Sequence, residues 1–64
     1  MTIQRYRHKK RGSTYRIIHY GTMQCSTYVP YIDNEPVIIY QCEEDDKIWV
    51  RLEKEFFDGR FEKI

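Results

Sequence analysis

The sequence predicts an all-β fold, either a small, strongly bent sheet or a partly open SH3-like barrel of five to six short strands. Three observations favour it. Helix-period patterns are absent, β-branched and aromatic residues fall in short runs, and turn residues bound those runs every eight to twelve positions. At 64 residues the chain has room for a single domain, residues 1–64, with a small core.

The clearest predicted element is a hairpin in the second half of the chain. The runs VIIYQC (residues 37–42) and KIWVRL (residues 47–52) flank the acidic segment EEDD (residues 43–46). Acidic residues favour a turn and keep its tip in water, so we expect two paired strands joined there.

Two further strands are predicted before this hairpin. The run TYRIIHY (residues 14–20) is closed by Gly21, and TMQCSTYV (residues 22–29) stops at Pro30. Proline cannot donate a hydrogen bond to a sheet and restricts the residue before it, so we expect the second strand to end there.

The C-terminal segment predicts a second hairpin. The pair Asp58-Gly59 is a strong two-residue turn signal, so the chain is expected to turn back and end in a short strand. Phe56, Phe57 and Phe61 would pack beneath it.

Edge strands and cysteine usage predict the protein's state in the cell. An open barrel leaves exposed strand edges, which are templates for pairing with another copy, so we expect a homodimer. The N-terminal MTIQRYRHKK has no apolar leader, and the two cysteines are read as reduced thiols of a cytoplasmic protein. The longest apolar run, VIIY, is far short of the roughly 20 residues that span a bilayer, so no membrane association is expected.

Charge is divided unevenly along the chain. The net charge is +1, yet residues 1–20 contain six bases and no acid, whereas residues 33–64 contain all ten acids and five bases. A balance of +1 argues against a wholly basic nucleic-acid coat. It leaves room for a local anion site in the basic stretch YRHKKRGSTYR (residues 6–16).

This basic stretch has two interpretations. Guanidinium and ammonium groups form strong charge-assisted bonds to phosphate, and tyrosine rings beside them can stack on bases. A lysine- and arginine-rich hairpin can equally be a solvated polar turn. The predicted ligand-binding residues in this part of the chain are Arg5, Tyr6, Arg7, Lys9, Lys10, Arg11 and Arg16.

Trp49 and Arg51 complete the predicted binding set. Strand alternation puts Ile48 and Val50 on one face and Trp49 and Arg51 on the other. If the aliphatic side chains point into the core, Trp49 and Arg51 point outward, where Trp49 is either covered by the C-terminal hairpin or exposed at an interface. Tryptophan and arginine are enriched at binding hot spots.

No catalytic or metal chemistry is predicted. The four ligand-type side chains, His8, His19, Cys25 and Cys42, lack the close-set pair that a structural zinc site requires. No nucleophile motif is present, and so small a fold has little interior in which to perturb a pKa. We expect a protein that is not an enzyme and needs no cofactor or metal.

Four segments in order resemble a family of small bacterial and phage proteins of unknown function: YRHKKRGSTY, VIIYQ, IWVRLEKEF and DGRFEKI. The sharpest similarity is Trp49-Val50-Arg51 with Phe56 following. Leu52 departs from the family pattern, which often has proline there, and residues 21–36 are longer than the compact family form. The resemblance implies no catalytic residues.

The leading hypothesis is a non-catalytic binding protein that recognises nucleic acid or a nucleotide through the basic N-terminal hairpin. An alternative, motivated by the phage resemblance, is a small inhibitor of a host or defence protein. It would act by protein–protein contact through an acidic face formed by residues 43–46 with Glu53, Glu55 and Asp58. Between them lies sequestration of a nucleotide signal in a dimer pocket.

Overall fold

The computed structural model describes residues 3–25 and 32–64. They form, in order, β1 (Arg5–His8), β2 (Thr14–Thr22), β3 (Pro36–Cys42), β4 (Ile48–Leu52), α1 (Glu53–Phe56) and β5 (Phe61–Lys63). The five strands make one antiparallel sheet in the spatial order β4-β3-β2-β1-β5. The sheet is not closed, which confirms the prediction of a small all-β fold of the partly open barrel type. Within the described ranges, no helix is long and apolar enough to cross a membrane.

The central hairpin of β3 and β4 forms where the sequence predicts it. Its turn is closed by two backbone bonds: Cys42 N–H donates to the Lys47 carbonyl and Asp46 N–H donates to the Cys42 carbonyl, each over 2.9 Å. The acidic segment is therefore a turn, as expected from its composition.

The strand β2 is longer than predicted. It runs past Tyr20 to Thr22 and stays paired with β3, with a shift in register between Ile17 and His19. Gly21 does not end the strand, because it pairs with Val37 in the ladder. The predicted strand over residues 22–29 is wrong where it can be compared: residues 23–25 form no strand, and residues 26–29 lie outside the described part of the chain.

The predicted turn at Asp58-Gly59 and the short terminal strand after it are confirmed, but the predicted hairpin is wrong. The short helix α1 follows β4, and the final strand β5 pairs with β1 rather than with its sequence neighbour. Phe56 and Phe61 are buried, and their rings stack with centroids 4.3 Å apart. Phe57 is 50% exposed, so only two of the three phenylalanines pack in the core as expected. The single turn of α1 brings Phe56 into the core of the sheet. The chain therefore packs a short helix at this point instead of reversing directly in a hairpin.

The predicted faces of β4 are reversed. Trp49 lies opposite the buried Tyr40, so Trp49 and Arg51 share the core face of the sheet. Ile48 and Val50 are on the other face, 60% and 57% exposed. The core is filled by a mostly aromatic cluster whose residues come from β2, β3, α1 and β5. The aliphatic residues of β4 are not part of it. Its buried members are Tyr15, Ile38, Tyr40, Cys42, Phe56 and Phe61.

The two edges of the sheet approach each other across this core. The guanidinium carbon of Arg51, on β4, lies 5.8 Å from the ring centroid of Phe61, on β5. The opening of the barrel is therefore next to a cation that lies over the aromatic cluster.

Candidate anion-binding pocket

An open pocket of about 700 Å³ lies at this opening. Three parts of the chain line it: the turn between β1 and β2, the strand β4, and the turn before β5. The lining residues are His8, Lys9, Lys10, Arg11, Arg51 and Arg60. All six have basic side chains, and five of them carry a full positive charge at neutral pH.

The tight turn between β1 and β2 positions four of these residues. His8 N–H donates to the Ser13 carbonyl over 2.9 Å, and Gly12 N–H donates to the His8 carbonyl over 2.7 Å. Gly12 has a φ of +76°, a left-handed conformation that glycine adopts without steric cost. The turn projects Lys9, Lys10 and Arg11 from one end of the sheet.

Arg51 is held in place by neighbours on the core face. Its Nε donates to the buried Tyr40 hydroxyl over 3.2 Å, and its Nη1 lies 3.6 Å from Glu55 Oε1. The bond to Tyr40 raises the pKa of Arg51 above its usual value, so the guanidinium stays charged. With its side chain 26% exposed, Arg51 presents a fixed charge to the pocket.

Arg60 reaches the pocket from the turn that precedes β5. Its backbone carbonyl accepts a bond from Lys9 N–H over 2.9 Å, which joins the two turns. Its Nε donates to Asp58 Oδ2 over 3.0 Å. Gly59, with a φ of +109°, lets the chain make this turn.

The pKa of His8 reflects the positive charge of the pocket. Burial lowers its pKa below the usual 6.5, and the positive charges of Arg11, Arg51, Arg60 and Lys10 lower it further. His8 is therefore neutral at pH 7. A cluster of like charges that already disfavours one more proton is suited to an anion, which removes the repulsion when it binds.

The structure brings four of the predicted binding residues into the pocket: Lys9, Lys10, Arg11 and Arg51. It places three others elsewhere, on the opposite face of the sheet. Arg5 makes a two-point bond to Glu43, with Nη2 and Nε 2.8 and 2.9 Å from the carboxylate oxygens. Arg7 donates to Glu62 over 3.1 Å and Arg16 to Gln41 over 2.9 Å.

The two predicted aromatic residues do not line the pocket. Tyr6 packs edge-on against Phe56 and Phe57, with ring centroids 5.2 and 6.0 Å away. Trp49 is 42% exposed, and Lys47 Nζ lies 5.9 Å from its ring centroid. Trp49 is thus neither fully buried nor part of the basic lining.

Sequence reasoning missed His8 and Arg60 as pocket residues. The sequence suggests His8 as a metal ligand or a catalytic base, not as part of an anion site. In the part of the chain that the structure describes, no group of three metal-type ligands occurs. Arg60 follows the turn signal Asp58-Gly59 directly, which was the available clue. The pair predicts the tip of a hairpin. In the structure the strand that follows it, β5, pairs with β1, and this pairing places Arg60 beside Lys9.

The fold and the pocket define a small all-β protein with a basic pocket at the opening of its sheet. No protein-family model matches the chain, no curated protein is significantly similar to it, and no solved structure gives a significant match. The resemblance to small bacterial and phage proteins therefore stays a prediction.

Proposed function

We propose that this protein is a small, non-catalytic binding protein of phage or bacterial origin that recognises a phosphate-bearing ligand, either nucleic acid or a nucleotide. The observation that carries the proposal is the pocket of about 700 Å³ lined by His8 and five cationic side chains. Such a concentration of one charge is unusual in a chain whose net charge is +1.

The pocket chemistry fits phosphate. Arginine offers a planar fork that matches phosphate oxygens at two points, and lysine adds a mobile point charge. Arg51 is already held by the neutral Tyr40 hydroxyl, so less side-chain freedom is lost when a ligand binds. Arg60 is held by Asp58, which also partly offsets its charge. The lysines of the turn can then close around the anion.

The pocket volume favours a ligand of nucleotide size or one segment of a nucleic acid strand. Small-molecule sites range from roughly 300 to 1,000 Å³. A base next to the phosphate would need a stacking surface, and the exposed part of Trp49, on the same face as Arg51, is the nearest candidate along β4.

The alternative of a protein inhibitor acting through an acidic face receives less support. Glu43 is bonded to Arg5, Glu44 Oε1 accepts from Thr14 N–H over 3.1 Å, and Asp58 is bonded to Arg60. These carboxylates have internal partners, and their charges are partly neutralised before any partner arrives. The alternative stays a prediction.

We also propose that the protein acts in the cytoplasm and as a homodimer. Both cysteines are free thiols, with Cys42 buried and Cys25 half-buried, in keeping with a reducing compartment. In a dimer, a pocket of this kind would also suit sequestration of a nucleotide signal.

Binding of pyrophosphate and of a short fluorescent oligothymidylate tests the proposal. Affinity is expected to fall steeply with salt, because bound counterions are released on phosphate contact. Failure of both probes to bind at low salt overturns it.

A matched pair of variants locates the site. Arg60 and Arg7 each bond one carboxylate, over 3.0 and 3.1 Å, and are 48% and 47% exposed. Arg60→Gln is expected to weaken binding at least about tenfold, the typical effect of losing a charged bond. Arg7→Gln, on the opposite face, is expected to stay within about twofold. Equal effects of the two variants would show that binding is not at the pocket.

A further inference from the structure

The strand β4 is an edge of the sheet. Its neighbour on one side is β3, and among the described residues it has no strand partner on the other side. Its residues Ile48, Trp49 and Val50 are 60%, 42% and 57% exposed. Apolar edge strands with unpaired backbone groups are templates for pairing with another strand.

The backbone groups that β4 presents at this edge follow from its pairing with β3. Cys42 N–H bonds the Lys47 carbonyl, so these two residues form a hydrogen-bonded pair. Hydrogen-bonded and non-bonded pairs alternate along an antiparallel ladder. The N–H and C=O groups of Ile48, Val50 and Leu52 therefore point away from β3, towards the open edge.

We propose that a second copy of this chain occupies the edge, with β4 pairing antiparallel to β4 about a two-fold axis at Val50. In this register Val50 faces its own counterpart and Ile48 faces Leu52, so the outward backbone groups bond each other. Trp49 faces Arg51 of the partner subunit. This is a favourable pair and it occurs twice by symmetry.

The neighbouring registers that also pair outward backbone groups are unfavourable. An axis at Trp49 places Lys47 opposite Arg51 of the partner subunit, which sets like charges together. An axis at Arg51 places the two guanidinium groups face to face. Like charges directly opposite each other destabilise a strand pair, so the sequence of β4 selects the register centred on Val50.

The dimer would also extend each pocket, an aspect that rests on the proposed function. Arg51 lines the pocket, and the non-bonded pair it forms with Trp49 of the partner subunit brings these side chains closer than a hydrogen-bonded pair would. An aromatic ring from the second copy then lies beside the basic lining and can stack on the base of a nucleotide.

Mass measurement over a concentration series, by analytical ultracentrifugation without ligand, tests the interface. The wild type is expected to dimerise. Val50→Glu sets two carboxylates together at the axis and is expected to raise the dissociation constant at least about 100-fold. The control Ile3→Glu changes a residue of similar exposure, 65% against 57% for Val50, outside β4, and is expected to dimerise normally. Circular dichroism establishes that each variant is folded.

Disulfide trapping tests the register. Val50→Cys places two thiols opposite each other at the axis, within the Cα separation that a disulfide spans, and is expected to cross-link the two copies under mild oxidation. Ile48→Cys faces Leu52 of the partner subunit and is expected not to cross-link. A monomeric wild type, a folded Val50→Glu variant that dimerises normally, or cross-linking of Ile48→Cys but not of Val50→Cys would overturn the proposal.

These measurements separate the dimer from the proposed ligand. A dimer that binds neither pyrophosphate nor oligothymidylate sustains the interface and overturns the proposed function. Conversely, a monomer that binds them through Arg60 sustains the function and overturns the interface. Where both hold, Trp49→Ala is expected to weaken oligothymidylate about 5-fold or more, in line with one lost base stack, and to leave pyrophosphate unchanged.

Discussion

The Nδ1 atom of His8 accepts a hydrogen bond that the backbone N–H of Arg11 donates over 3.2 Å. An acceptor nitrogen carries no proton, so the neutral ring bears its proton on Nε2. The ring is also fixed edge-on against Phe61, with centroids 5.0 Å apart. The turn that gathers the cations thus also fixes the tautomer of the one pocket residue that can gain a charge near neutral pH.

We expect oligothymidylate to bind more tightly as the pH falls through the range between the pKa of His8 in the complex and its lower pKa in the free protein. Burial and the cations Arg11, Arg51, Arg60 and Lys10 lower the pKa of His8 in the free protein. The added proton goes to Nδ1, which then gives up the bond from Arg11 N–H. A bound phosphodiester offsets that loss and raises the pKa of His8, so binding takes up a proton, and affinity gains by up to about tenfold per pH unit where only the complex is protonated. Above that range His8 is neutral in both states and the affinity is flat.

Anisotropy titrations between pH 5 and pH 8 measure this dependence. Oligothymidylate without a terminal phosphate keeps a constant charge there, whereas a phosphomonoester has a second pKa near 6 and would confuse the result. His8→Gln is expected to remove the dependence and retain most of the binding. His19→Gln, at an exposed position, is expected to keep it; an unchanged pH profile in His8→Gln would contradict the assignment.

The aromatic core depends most on Phe56. Its side chain is fully buried against the rings of Phe61 and Tyr40, 4.3 and 5.1 Å away between centroids. Phe56→Ala is expected to lower the free energy of unfolding by about 3–5 kcal/mol, most of the stability of so small a domain. Phe57→Ala removes a half-exposed ring and is expected to cost no more than about 1.5 kcal/mol. Urea denaturation measures both, and equal losses would contradict the packing.

Local signals explain how much of the fold could be predicted. The strands β3 and β4 are consecutive in sequence, rich in β-forming residues and joined by turn-favouring acidic residues. A short stretch of sequence is therefore enough to predict the hairpin. The pairing of β5 with β1 joins residues far apart: Arg7 bonds Glu62, 55 positions away. It depends on Phe56 and Phe61 packing together, which no short pattern reveals.

The same distinction applies to the pocket. Lys9, Lys10 and Arg11 are consecutive, so their common location follows from sequence. Arg51 was expected to point outward because Ile48 and Val50 look like core residues, whereas an aromatic cluster fills the core and β4 turns its aliphatic face to solvent. The predicted alternation along β4 is confirmed, but tertiary packing decides which of its two faces points to the core.

Acid is expected to weaken the contact between the first strand and the acidic turn. The two-point bond from Arg5 lowers the pKa of Glu43 from 4.5 to about 2. A lowered pKa in the folded state adds stability that is present above the unfolded value of 4.5 and is lost as pH falls towards 2. Glu43→Gln is therefore expected to have a lower melting temperature than the wild type at pH 6, with the difference vanishing near pH 2.

Thermal melts of the two proteins from pH 2 to pH 6 measure that difference. Glu62→Gln is the control, because Glu62 receives one bond from an exposed arginine, Arg7, rather than two. It is expected to cause the smaller change. A gap between wild type and Glu43→Gln that is the same at every pH would show that the carboxylate charge is not the source of the stability.

Tyr40 is expected to act on ligand binding through Arg51. Its hydroxyl accepts the Nε bond of Arg51 over 3.2 Å, and the ring itself is buried. Tyr40→Phe keeps the ring but frees the guanidinium, so pyrophosphate affinity is expected to fall about 3- to 10-fold, the usual effect of one hydrogen bond. In an Arg51→Gln background, Tyr40→Phe is expected to have no further effect on affinity, because there is no guanidinium left to position. Calorimetric titration of the four proteins completes this cycle, and additive losses would show that Tyr40 affects binding independently of Arg51.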